Sequence, residues 1–131
     1  MKEKLYFLLV LSLTFSWVGC SRHSPGEFTQ TSGSLVAIMS LDPYPPTSMT
    51  PALLSLTLTD KDGRPVENAQ VSYDLTMPAM TMPPNQPVAT SQGQGLYTGQ
   101  AMFTMPGDWQ VQAIVIYRGE KIIFTFDIQV K

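Results

Sequence analysis

The chain has 131 residues, 44% of them hydrophobic and 14% charged, with a formal net charge of −2. That length carries one domain with one core. No basic run or stripe is present, which argues against nucleic-acid binding, and the acidic balance offers no attraction to an anionic membrane surface.

Lys2 and Lys4 precede the apolar run LYFLLVLSLTFSWVG, and Cys20 follows it as the only cysteine. The run is short for a spanning helix and has the order of a secretory signal segment. A small residue followed by a single cysteine resembles the lipobox of bacterial lipoproteins. Val18, Gly19 and Cys20 fit, while Trp17 stands where that pattern usually has Leu. The resemblance implies cleavage before Cys20 and a diacylglyceryl group on its sulfur. The alternatives are a simple signal peptide cut nearby and an uncleaved anchor. Lipidation would also account for a lone cysteine in an oxidising space. The expected location is extracytoplasmic, held to a membrane by the lipid, in a cell with one membrane or two.

Residues 1–19 are thus expected to be a signal peptide, residues 20–34 a lipidated cysteine with a flexible tether, and residues 35–131 the folded domain. The tether, SRHSPGEFTQTSGS, is polar and rich in Gly and Ser. It holds His23, the only histidine. Without Lys2, Glu3 and Lys4, six basic and nine acidic residues remain, a formal charge of about −3.

From residue 34 onward the pattern is all-β. SLVAIMSL is a short apolar run bounded by turn residues. DPYPPTSMTP follows, and its four prolines cannot donate ladder hydrogen bonds, so it is a loop or frayed edge. ALLSLTLTD alternates, with Leu54, Leu56 and Leu58 on one face. DKDGRP has strong turn chemistry. Its acidic pair lacks the spacing and terminal glutamate of a calcium loop.

AQVSYDLTM alternates again, with Val71, Tyr73, Leu75 and Met77 on one side. Prolines stop that strand, and a long loop leads to LYTGQAMFTM. PGD turns into WQVQAIVIY, where Trp109, Val111, Ala113, Val115 and Tyr117 share a face. RGEK is a tight hairpin turn, and IIFTFDIQV closes the domain. Six or seven short strands without a convincing helix predict an immunoglobulin-like antiparallel β-sandwich. A small barrel is the competing all-β arrangement.

The ordered signals from Leu53 to Val115 resemble the YtkA-like domain family of small exported bacterial proteins. The residues that carry the resemblance are Asp60, Asp62, Gly63, Pro65 and Val66; Ala69 and Val71; Met77, Met80 and Met82; Gly95 and Tyr97; and Met105, Gly107 and Trp109. The family is similar to the extracytoplasmic part of FixH-type proteins, which are linked to copper supply for terminal oxidases. The resemblance implies an immunoglobulin-like sandwich and no known enzymatic activity. Family members often carry histidines among these methionines, and this chain has none there.

The stretch MPAMTMPP, residues 77–84, raises the functional question. Thioethers are soft, neutral ligands that suit Cu(I). Met80 and Met82 point the same way if the segment is extended. Met77 lies at the strand end, and Met105 would add a sulfur if its strand end is a neighbour. Trp109 would then cover the ion through a cation–π contact.

Packing competes with this reading, because methionine is also an adaptable core filler. On periodicity Met77 is expected in the core, and Met102 and Trp109 are expected there as packing residues and not ligands. Met80 and Met82 lie in a loop and are harder to explain as core. They would serve as Cu(I) ligands, as a cap on the open end of the sandwich, or as an apolar surface for an envelope protein. A triad or thiol enzyme needs a histidine inside the fold, so no enzymatic activity is expected. The expected partners are the membrane, through the lipid, and a copper-accepting or other envelope protein.

Overall fold

The computed structural model describes residues 26–131. The expected signal segment, Cys20 and His23 lie outside the described residues. Eight antiparallel strands form two sheets: β1 (Glu27–Ser32), β2 (Leu35–Asp42), β3 (Pro51–Asp60), β4 (Gln70–Thr76), β5 (Thr90–Gly93), β6 (Leu96–Met102), β7 (Gly107–Tyr117) and β8 (Glu120–Val130). One sheet has the order β1-β2-β3-β6-β5 and the other β4-β7-β8. Setting β1 aside, this is the four-on-three arrangement of a constant-type immunoglobulin domain. Two separate sheets make it a sandwich and not a barrel.

Period-two alternation builds the core. Leu54, Leu56 and Leu58 of β3 are fully buried, as are Tyr73 and Leu75 of β4 and Val111, Ala113 and Val115 of β7. β8 adds Phe124, Phe126 and Ile128 from its inward face. Each large apolar side chain buried this way contributes about 1.5–3 kcal/mol relative to exposure. Asp60 shapes the β3–β4 connection: its Oδ1 accepts from the backbone N–H groups of Asp62 and Arg64, both at 2.9 Å. Gly63 takes a positive φ of 79° there. This is the turn that DKDGRP predicts.

Two strands depart from the sequence expectation. Glu27–Ser32, placed in the tether, forms the edge strand β1 and pairs with β2 from Glu27↔Ser40 to Ser32↔Leu35. Its only inward anchor is Phe28, which meets Tyr44 and Phe126 edge-on at 5.8 and 6.5 Å. A polar edge strand shows no hydrophobic alternation, so its sequence reads as linker. β5, TSQG, is wholly exposed and too short to show a period.

The connections fall into two groups at opposite ends of the sandwich. At one end lie the 43–50 loop, the 77–84 loop, the 103–106 loop and the C-terminus. Backbone bonds tie them: Lys131 N–H to Pro46 O at 2.9 Å, Ser48 N–H to Lys131 O at 2.7 Å and Met49 N–H to Phe103 O at 2.7 Å. The other end carries the turns at 33–34, 61–69, 94–95 and 118–119.

Candidate functional site

The methionine-rich stretch forms the tip of a hairpin-like excursion. The chain leaves β4 at Thr76 and returns antiparallel along the same strand. Leu75 N–H donates to Asn85 O, Tyr73 N–H to Pro87 O and Ala89 N–H to Val71 O, at 2.9, 2.9 and 3.0 Å. Prolines suit this path because the returning segment offers carbonyls and needs few donors. At the tip, Met80 N–H turns back onto Met77 O at 3.2 Å.

The excursion faces the β6–β7 connection, and the two line a solvent-open cavity of about 360 Å³. Met77, Met80 and Met82 line it from one loop, and Met102 and Met105 from the other. Five of the chain's eight methionines therefore share one cavity. The remaining wall is Thr81, Pro83, Pro84, Asn85 and Thr104, with no ionisable residue. Among the described residues, no group of three or more His, Cys, Asp or Glu side chains is placed to hold a metal ion. The donor set is thus thioether, with hydroxyl and amide groups as the only other side-chain donors.

The two walls are fixed to each other. Asn85 Nδ2 donates to Met102 O at 2.9 Å. Beneath the cavity, Trp109 Nε1–H donates to Met105 O at 2.9 Å. The Trp109 ring is buried and meets Phe103 edge to face at 5.2 Å. Gly107 holds φ at 129°, and a Cβ there would stand 3.1 Å from Met77 Cε. Glycine at this position leaves room for the Met77 side chain.

These placements revise three expectations. Trp109 is core, as its period predicts, but it does not line the cavity and so is not placed to cover an ion. It holds Met105 by its carbonyl instead. Met102, expected in the core, is 39% exposed and lines the cavity. It sits on the outward face of β6, where Ala101 points in. Met77 is half-buried, packing on the core while lining the cavity. The parity of Ala101 and Phe103 would have exposed Met102 from sequence. Met80, Met82 and Met105 are brought together as the sequence suggests.

A small immunoglobulin-like sandwich with a methionine-lined cavity at one end is the class of protein that fold and site define. The YtkA-like family matches residues 36–113, and the chain belongs to that family. No curated protein sequence matches it. Several solved structures share the fold. One is a DUF4426 family protein from Pseudomonas aeruginosa PAO1, with a TM-score of 0.58 and 19% identity over 79% of this chain and 94% of that one. Another is the Escherichia coli adhesin FdeC, with a TM-score of 0.53 and 21% identity over 79% of this chain and 33% of that one. At these identities the likeness concerns the fold alone.

Proposed function

We propose that this protein is a membrane-tethered, extracytoplasmic, non-enzymatic carrier that binds Cu(I) in the methionine cavity and passes it to an acceptor protein. The observation that carries the reading is the convergence of Met77, Met80, Met82, Met102 and Met105 on one cavity without an ionisable side chain. Neutral sulfur donors favour a soft monovalent ion and discriminate against Zn(II), Mg(II) and Ca(II). Met102 joins the donor set expected from the sequence. Release needs no redox step, because a thioether is displaced by a stronger thiolate or imidazole ligand of an acceptor. The signal segment and Cys20 support the tethered location.

The competing reading is a metal-free module that docks an envelope protein on the same loops. The exposure of Met80, Met102 and Met105, at 39–46%, favours it. Substitution of Met80 and Met82 by Leu separates the two, since it keeps the apolar surface and removes two sulfurs. A Cu(I) competition titration under anaerobic reducing conditions reads the result. Carriage by the cavity requires the wild type to take about one equivalent and the double variant to lose it. Equal behaviour of the two proteins favours docking.

A further inference from the structure

The end of the sandwich that holds the methionines is also the end at which the chain enters the domain. Glu27 opens β1 opposite Ser40, and Gly26 O accepts from Leu41 N–H at 3.1 Å. A Cβ on Gly26 would collide with the Tyr44 ring, so the entering chain is pressed against the 43–50 loop. Only five residues separate Gly26 from Cys20, a reach of about 20 Å over six Cα–Cα steps when fully extended.

The loops at the two ends differ in chemistry. The loops 43–50, 77–84 and 103–106 contain no charged residue, and the charges at their end sit at strand ends and the C-terminus, on Glu27, Asp42, Asp108 and Lys131. The opposite end carries Lys61, Asp62, Arg64, Glu67 and Arg118 in its turns, with Glu120 opening β8. Nine large hydrophobic side chains are exposed among the described residues, and six of them lie at the methionine end: Tyr44, Met49, Leu53, Met80, Met102 and Met105. Loops without charge and with exposed apolar side chains cost little to bring against lipid headgroups, whereas the turns at the other end would have to shed hydration from their ions.

We infer that the domain rests with its methionine end on the membrane surface, its uncharged loops in contact with the lipid and its charged turns facing the aqueous phase. The inference rests on the membrane attachment proposed above and is independent of whether metal is bound. The short entry segment favours this geometry. Gly26 stands level with Leu54, which is six residues, or about 20 Å, from Asp60 at the far end. An inverted domain would therefore need the whole segment stretched alongside the sheet. A metal leaving the cavity would then be released at the membrane surface, within reach of a membrane-embedded acceptor.

The test uses the full chain in phosphatidylcholine vesicles, without metal and without partner protein. Nitroxide labels are placed singly at Met80→Cys and Thr47→Cys on the methionine end, and at Lys61→Cys and Glu120→Cys on the opposite end. All four positions are exposed. Collision rates with a water-soluble nickel chelate and with membrane-partitioned oxygen are measured by power saturation. The expected result is several-fold less chelate contact and more oxygen contact at positions 80 and 47 than at 61 and 120. Equal chelate access at all four positions, or protection at 61 and 120, overturns the orientation. Labelling of the unsubstituted chain, which occurs only if Cys20 is a free thiol, overturns the lipid anchor that the orientation depends on. Cu(I) binding has no part in the readout, so failure of the metal reading is seen separately.

Discussion

The side-chain amide of Asn85 donates to the carbonyl oxygen of Met102 at 2.9 Å, joining the two loops whose methionines share the cavity. This single bond spans seventeen residues of sequence and sets the distance between the two groups of sulfurs. Replacing Asn85 by Ala should leave the core intact, because the bond is exposed and worth about 0.5–1.5 kcal/mol. Cu(I) affinity should fall by up to about tenfold as the loops lose their relative position. Thermal unfolding and competition titration of the same variant check both halves.

Met102 and Met39 offer a matched pair. Both are strand methionines, but Met39 is fully buried in β2 whereas Met102 faces the cavity. Met39→Leu should reduce stability by less than about 1.5 kcal/mol and leave metal uptake unchanged. Met102→Leu should do the reverse, with little change in stability and a weaker Cu(I) complex. Denaturant titration and metal competition on the two variants decide it.

The cavity has no titratable lining. Cu(I) affinity should therefore stay level between about pH 5 and 8, the range in which a histidine-assisted site loses its metal to protons. A titration repeated across that range reads this directly. A marked drop toward the acid end would mean that an imidazole or carboxylate outside the cavity takes part.

Tyr73 and Tyr97 are buried in the core from opposite sheets, with different fates. The Tyr97 hydroxyl donates to Val66 O at 2.9 Å and accepts from Ala69 N–H at 3.1 Å, pinning the 61–69 turn. The Tyr73 hydroxyl is buried without a partner. Burial pushes its phenol well above the ordinary value of 10.0. Below pH 10 the group is neutral in both the folded and unfolded chain and its titration has no effect on stability. Above pH 10 the unfolded chain releases this proton and the folded chain keeps it, so stability falls as pH rises, by at most about 1.4 kcal/mol per pH unit. Tyr73→Phe should be stable to within about 1 kcal/mol of the wild type or better at neutral pH, and should lose this component of the alkaline slope. Tyr97→Phe should instead destabilise, by about 1–3 kcal/mol. Urea unfolding at pH 7 and above pH 10 compares the three proteins.

The strands with inward alternation were legible in the sequence because burial on one face imposes a period of two. Leu54, Leu56 and Leu58, and likewise Val111, Ala113 and Val115, show this. β1 and β5 were not, since an exposed edge strand has no buried face to pattern. In the site, MPAMTMPP was conspicuous by composition. Met102 was hidden because a strand methionine is read as core unless the parity of its neighbours is followed. Trp109 was placed correctly in the core, but its service to the site, a hydrogen bond to a backbone carbonyl, has no sequence signature.

The central claim, that the cavity is a thioether site, is tested most directly by X-ray absorption at the copper edge on anaerobically loaded protein. The account predicts Cu(I) with sulfur as the dominant first-shell scatterer, and loss of sulfur scattering in the Met80→Leu/Met82→Leu variant. A shell dominated by nitrogen or oxygen, or a protein that retains no copper after desalting, would contradict it.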